Sequence, residues 1–253
     1  VSSSAGCLAE SSFSISNQNS NLTATVSVSD PLCYGQTVTA TITANDGTAP
    51  YTYILNNQVS NNTGIFTELS SGDYNVLVVD QNGCTYYLAF DIDQPTQLVT
   101  EVLSVDHVSC FNGSNGLITL DVSGGVTPYT YAWSHFSSLN APIASGLESD
   151  SYSVTITDFN GCSVIKNIDV TEPSAPISIS DVTISDASCF DSSNGSIEIT
   201  VAGGTALYSY VWSNGLASQN INSLHSGIYI VTITDANGCT LISDPYEVQQ
   251  PTP

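Results

Sequence analysis

One pattern governs this chain: GDYNVLVVDQNGC at Gly72 to Cys84 returns as DSYSVTITDFNGC at Asp150 to Cys162 and as GIYIVTITDANGC at Gly227 to Cys239. A pattern that returns at a fixed interval marks a tandem array, which overrides the one or two domains that 253 residues would otherwise imply. The corresponding cysteines Cys7, Cys84, Cys162 and Cys239 stand 77, 78 and 77 residues apart (84 − 7, 162 − 84 and 239 − 162). In the third copy Tyr229, Val231, Ile233 and Asp235 alternate with Ile230, Thr232 and Thr234, as in a strand with one buried face, and the following Asn-Gly suits a hairpin turn. The leading Tyr74, Tyr152 and Tyr229 each follow shortly after Gly or Ser, like the tyrosine corner of immunoglobulin-type sandwiches, whose hydroxyl satisfies backbone a few residues upstream.

Between these copies lie further short alternating runs. Ile118, Leu120 and Val122 flank Thr119 and Asp121, and Ile197, Ile199 and Val201 flank Glu198 and Thr200. Gly124-Gly125 and Gly203-Gly204 break those runs, with Asp46-Gly47 in the same place of the first unit. No helical periodicity is sustained anywhere. Six or seven short strands per unit predict an all-β chain, a tandem array of immunoglobulin-like/fibronectin-III-like β-sandwich repeats of about 77–79 residues. The expected division is residues 1–17 as the last strand of a truncated preceding repeat, then repeats at 18–94, 95–172 and 173–250, with 251–253 opening the next linker. Gln94-Pro95, Glu172-Pro173 and Gln250-Pro251 mark the joints, where proline stiffens a short linker. At ~35 to 40 Å each, three such units in line predict a rod of more than roughly 100 Å.

Residues 7–16, CLAESSFSIS, have the alternation of a last strand. Either the chain is a window from a longer array and Cys7 pairs upstream, or this strand adds to the sheet edge of another molecule.

The remaining six cysteines fall into pairs of nearly equal spacing: Cys33 with Cys84, Cys110 with Cys162 and Cys189 with Cys239. This predicts a disulfide within each unit and an oxidising, extracellular compartment. Structural metal binding is disfavoured, because there is no CxxC spacing and no repeated histidine. His107, His135 and His225 occupy unrelated places in the repeat, and no serine, histidine and aspartate set recurs, so no enzyme is expected.

With 23 acidic residues against a single base, Lys166, the formal charge is −22. That excludes nucleic acid, whose phosphates need Lys and Arg, and disfavours anionic membranes. No apolar run is long enough for a membrane helix, and an export signal is expected outside this stretch.

Two further groups bear on binding. Tyr129, Tyr131 and Trp133, repeated as Tyr208, Tyr210 and Trp212, form an aromatic row that would stack on sugars or fill a core. Leu55 replaces the Trp in the first unit, which favours Trp133 and Trp212 as core aromatics and leaves Phe136 in the variable loop as the glycan candidate. Asp80, Asp158 and Asp235 precede the hairpin as D-x-N-G, where turn chemistry competes with a weak calcium site that would also use Glu172 or Asp93. No other cofactor is expected. Sequons at Asn21, Asn61, Asn112 and Asn194 do not align between units.

The combination GGxxPYxYxWSNG, then LxxGxYxVTITDxNGC, resembles the SprB repeat family. The third unit fits as GGTALYSYVWSNG and LHSGIYIVTITDANGC; the second departs at SHF after Trp133, and the first departs most, with Asp46 and Leu55. The resemblance implies a piece of a very large surface adhesin of gliding and other Bacteroidota, exported by type IX secretion, with no catalytic residues. The expected function is a disulfide-stapled rod or stalk in a cell-surface adhesin or fibre. A filament subunit assembled by strand addition and a glycan-binding module are the alternatives. Neighbouring repeats, other copies of the chain or surface glycans are the expected partners.

Overall fold

Alternation along each short run decides which face is wet. In 116–120, Ile118 and Leu120 are buried while Leu117 and Thr119 are half-exposed, the pattern of a strand covered on one side. The computed structural model describes residues 21–253, and among these it contains strands and no α-helix. The N-terminal strand expected at 7–16 and Cys7 lie outside the described residues.

The first sandwich has β1 (Thr23–Ser27), β2 (Val38–Asn45), β3 (Thr52–Leu55), β4 (Val59–Asn61), β5 (Ile65–Leu69), β6 (Gly72–Val79) and β7 (Thr85–Ile92). One sheet runs β1-β2-β5 and the other β4-β3-β6-β7. The second contains β8 (Val99–Asp106), β9 (Gly116–Ser123), β10 (Thr130–Trp133), β11 (Ile143–Leu147), β12 (Asp150–Thr157) and β13 (Ser163–Val170). Its sheets, β8-β9-β11 and β10-β12-β13, repeat the first without the β4 edge.

In the third sandwich the strands are β14 (Ser178–Ser185), β15 (Gly195–Ala202), β16 (Ser209–Trp212), β17 (Ile221–Leu224), β18 (Gly227–Tyr229), β19 (Val231–Thr234), β20 (Thr240–Ile242) and β21 (Tyr246–Val248). Here β14-β15-β17 faces β16-β19-β20, and β18-β21 forms a separate short ladder. The long Tyr strand and its partner are thus interrupted where β6–β7 and β12–β13 run unbroken. Pro245 supplies the reason, because it has no N–H to give to a ladder. The fold is an array of immunoglobulin-like/fibronectin-III-like sandwiches in which every pairing is antiparallel.

Each sandwich has its own core. Ile42, Val76, Val78 and Ile92 close the first, Ile118, Leu147, Val154 and Ile156 the second, and Ile197, Trp212, Ile221 and Ile233 the third. Among the described residues, those up to Gln97 form one compact unit, and the second and third sandwiches together form another, Leu98–Pro253.

Strand register also places the cysteines. In the second sandwich Asp106 pairs with Leu117 and Val99 with Ser123, so the loop carrying Cys110 lies at one pole. That pole also holds the end of β13, since Val108 N–H donates to Thr171 O. The β12–β13 hairpin, which carries Cys162, lies at the other pole, where Phe159 N–H donates to Val126 O. Strands of eight residues at about 3.4 Å per residue separate the poles by roughly 27 Å. A disulfide needs Cα atoms within about 7 Å. The expected pairing within each unit is therefore corrected: Cys110 bonds Cys239 of the next sandwich, with Cα atoms 5.7 Å apart. Cys84 and Cys189 are free. Cys33 and Cys162 are each in a disulfide, and neither has its expected partner.

Candidate functional site at the sandwich poles

The groups that recur in every sandwich converge on the two poles. At the hairpin pole the Asp of D-x-N-G turns inward. Asp80, Asp158 and Asp235 are each only 5% exposed. One oxygen of Asp235 accepts Thr205 N–H at 2.8 Å, and the other accepts Asn237 and Cys239 N–H, both at 2.9 Å. Asp80 does the same with Thr48, Asn82 and Cys84, and Asp158 with Val126 and Cys162. The carboxylate binds the hairpin to the loop after the second strand. Glycine is required where that loop passes: a Cβ on Gly125 would stand 2.7 Å from Asp158 Oδ2, and one on Gly204 2.8 Å from Asp235 Oδ2, both at positive φ.

Burial by itself pushes these carboxyls up, but the backbone N–H groups together outweigh it and hold all three below the ordinary value of 3.8. A depressed folded pKa stabilises the fold above the unfolded value and loses that contribution as pH falls through the folded one. Chain stability is accordingly expected to be insensitive to these three groups above pH ~5 and to drop progressively below pH ~4. Denaturant midpoints measured from pH 6 to pH 2 test this, with Asp235→Asn removing part of the dependence; a flat profile would contradict it. Because backbone donors take both oxygens, the Asp80, Asp158 and Asp235 carboxylates are committed to the turn rather than offered to calcium. Of the other calcium candidates, Glu172 accepts Asn112 N–H, and Asp93 donates its own N–H to Asp30. Among the described residues no group of three His, Cys, Asp or Glu could hold a metal ion.

The leading tyrosines tie the strands to the loop before them. Tyr74, Tyr152 and Tyr229 donate their hydroxyls to the carbonyls of Ser70, Glu148 and His225 at 2.9–3.0 Å. Tyr152→Phe is expected to cost about 1 kcal/mol, the usual net worth of one hydrogen bond, read as a lowered denaturant midpoint with unchanged slope. A second set of hydroxyl ties had escaped the sequence reading. Tyr51, Tyr129 and Tyr208 donate to Asp46, Gly124 and Gly203 carbonyls at 2.6–2.8 Å, which the constant five-residue spacing could have indicated.

The aromatic rows point mainly inward. Trp133 and Trp212 are 3% and 1% exposed, and their indole N–H groups donate to Ala141 and Ser218 carbonyls. Leu55 fills the equivalent place in the first sandwich at 6% exposure. Phe136, the glycan candidate, is half-buried and stacks on Tyr152 at 6.3 Å, so its face is spent on the core.

The histidines do not meet. His107 Nδ1 accepts Thr171 N–H, and His225 contributes its carbonyl to the Tyr229 tie. His135 lies between Ser134 Oγ at 2.7 Å and Asp150 at 3.3 Å, over the ring of Tyr152. That serine oxygen also accepts Ser153 N–H, and all three residues are exposed, so the trio pins the variable loop on an open surface.

At the opposite pole the loop after the first strand is built by an asparagine clip. Asn115 Oδ1 accepts Ser109 N–H at 2.9 Å while its Nδ2 donates to Ser109 Oγ at 2.6 Å. Asn194 holds Ser188 identically, at 3.0 and 2.6 Å. The residue before the linker proline caps the same loop: Gln94 accepts Gly35 N–H, Glu172 accepts Asn112 N–H and Gln250 accepts Asp191 N–H.

Within residues 98–253 the two kinds of pole meet. Beside the Cys110–Cys239 bond, Asn237 Nδ2 donates to Ser109 O at 3.0 Å and to Thr205 Oγ1 of its own sandwich at 3.0 Å. Phe111, Pro176, Ile177 and Leu241 line a cleft of about 490 Å³ next to the disulfide. The joint therefore combines a covalent bond and a hydrogen bond beside a partly apolar cleft.

The SprB repeat family model matches residues 103–136 and 182–217, in both cases from the first strand across the cysteine loop to just past the tryptophan. A search of curated proteins gives no match. Among solved structures, three N-terminal domains of the highly immunogenic outer capsid protein of bacteriophage RB49 align at 10% identity and TM-score 0.44, over 92% of this chain and 100% of that one. The N-terminal eight Ig domains of Down syndrome cell adhesion molecule align at 10% identity and TM-score 0.47, over 90% of this chain and 36% of that one. Invasin, a bacterial integrin-binding protein, aligns at 11% identity and TM-score 0.32, over 91% and 60%.

Proposed function

We propose that this chain, with SprB repeats in its second and third sandwiches, is a non-catalytic segment of an extracellular cell-surface adhesin or fibre, acting as a disulfide-stapled stalk. The observation that carries this reading is the Cys110–Cys239 bond, which locks one sandwich to the next. Such a bond persists in oxidising surroundings, which supports an extracellular setting. The repeated side chains support the same reading, because the inward Asp, the tyrosine ties and the asparagine clips all serve the scaffold. A formal charge of −22 keeps such a surface solvated and self-repelling, as suits an exposed, extended segment. Its partners are then neighbouring sandwiches of the same kind, and gliding adhesins are the setting that the repeat family implies.

Protease shaving of intact cells that express the native protein tests the location. Peptides from residues 98–253, including Cys110 linked to Cys239, are expected in the released fraction before lysis. Their appearance only after lysis would overturn the reading.

A further inference from the structure

One sheet edge is closed in the first two sandwiches and open in the third. In the first, β4 pairs along β3, with Tyr53 opposite Asn61. In the second, Tyr131 N–H donates to Asn140 Oδ1 at 2.8 Å. In the third, the loop after Trp212 turns tightly instead, with Trp212 N–H donating to Leu216 O, and β16 ends its sheet. Ser213 N–H donates to Ile230 O, so Ser209 and Val211 turn their backbone toward β19, and Tyr210 between them turns its own outward. Among the described residues nothing accepts the Tyr210 N–H.

The side chains around this edge agree with its backbone. Where the first sandwich has Ile54, flanked by Ser60 of β4, and the second has the small Ala132, the third has Val211, which is 63% exposed. Leu207 just before the strand and Leu216 just after it are 85% and 41% exposed. Residues 199–234 contain no Asp, Glu, Lys or Arg, in a chain that carries 23 acids. An unpaired edge with apolar flanks, and without the charges that usually guard one, is a template for strand addition.

We infer that β16 is a lateral contact between two copies of this chain, in which it pairs antiparallel with β16 of the second copy across a two-fold axis at Tyr210. The pairing of β4 with β3 shows that this edge of the fold accepts an antiparallel strand. A second copy is the occupant because the stretch matches itself. Each Tyr210 donates its N–H to the Tyr210 carbonyl of the other copy, Val211 meets Ser209 twice, and Leu207 reaches the turn of the other copy that carries Leu216. A cationic partner drawn by the acidity of the chain would meet no carboxylate in this stretch. Two chains of charge −22 repel one another at a distance, so the contact tightens as salt screens them. Pairing a four-residue strand buries little surface, which places the contact among the small, reversible ones. The inference goes beyond the stalk reading and stands without it.

The test is sedimentation velocity of the full oxidised chain, its free thiols alkylated so that no new disulfide forms, over a wide range of concentration and salt. A reversible monomer–dimer equilibrium that strengthens with salt is expected, with hydrogen exchange at the Tyr210 amide slowing as the dimer fills. Val211→Lys with Ser209→Lys opposes like charges twice across the axis and should weaken the dimer about tenfold, whereas Val211→Lys with Ser209→Asp opposes unlike ones and should restore it. Both side chains are exposed, so unchanged denaturant midpoints will show that neither variant acts by unfolding the sandwich. Ile242→Lys, on the strand at the other end of the same sheet, should leave the dimer unchanged. A chain that stays monomeric at every concentration, a dimer that salt dissolves, or one lost with Ile242→Lys but kept with the paired lysines would overturn the inference. Each of these results leaves the Cys110–Cys239 bond, and the stalk reading with it, standing.

Discussion

Cys239→Ser is expected to lower the stability of residues 98–253 by about 4–5 kcal/mol relative to the oxidised chain, the entropy the bond removes from the unfolded ensemble. The bond spans 129 residues, and loops of that order are worth this much in the chain-entropy model. Against the roughly 5–15 kcal/mol of a whole domain this is a large share. The cysteines lie at a joint, with Cys239 only partly buried against the third core, so the packing lost with them is small beside the loss of the bond. Three controls separate the staple from general damage. Cys110→Ser should cost the same, the double variant no more than either single one, and Cys84→Ser almost nothing, because that thiol is free. Denaturant midpoints of the oxidised and reduced chain provide the measurement, and equal midpoints would show that the bond contributes nothing.

Trp212→Ala should be nearly as damaging, at about 3–5 kcal/mol, through lost burial and the cavity left behind. Trp212 is 1% exposed in the third core, and its indole N–H pairs with the Ser218 carbonyl, which the truncation also strands. Leucine should restore much of the loss, because Leu55 already closes the same position in the first sandwich. Chemical denaturation of the two variants gives the comparison, with near-UV circular dichroism reporting whether the core stays ordered. An alanine variant that loses less than about 1 kcal/mol would mean that the third core is held together elsewhere.

Much of this architecture was legible because it is local. Period-2 alternation in runs such as Ile197, Ile199 and Val201 depends only on neighbours in the chain, and so does an Asn-Gly turn. The same holds for the tyrosine ties, which reach carbonyls four residues away. The break between β18 and β19 was missed, although Pro245 was visible, because the proline sits in the partner strand and acts only through pairing.

What the sequence by itself determined, then, is the repeated sandwich: its strands, its turns, the inward face of each core and the acidity of its surface. Cysteine pairing was decided by the tertiary structure alone. In a periodic chain, the spacing from Cys110 to Cys162 and that from Cys110 to Cys239 are equally regular, so spacing cannot choose between them. The choice follows from strand length, which puts the two cysteines of one sandwich at opposite poles, and from end-to-end docking of the second and third sandwiches, which brings Cys110 and Cys239 within 5.7 Å. The use of Asp80, Asp158 and Asp235 was settled in the same way: D-x-N-G fits a turn or a metal ligand, and only the loop folded over each carboxylate supplies the distant backbone donor, Thr48, Val126 or Thr205, that commits it to the turn.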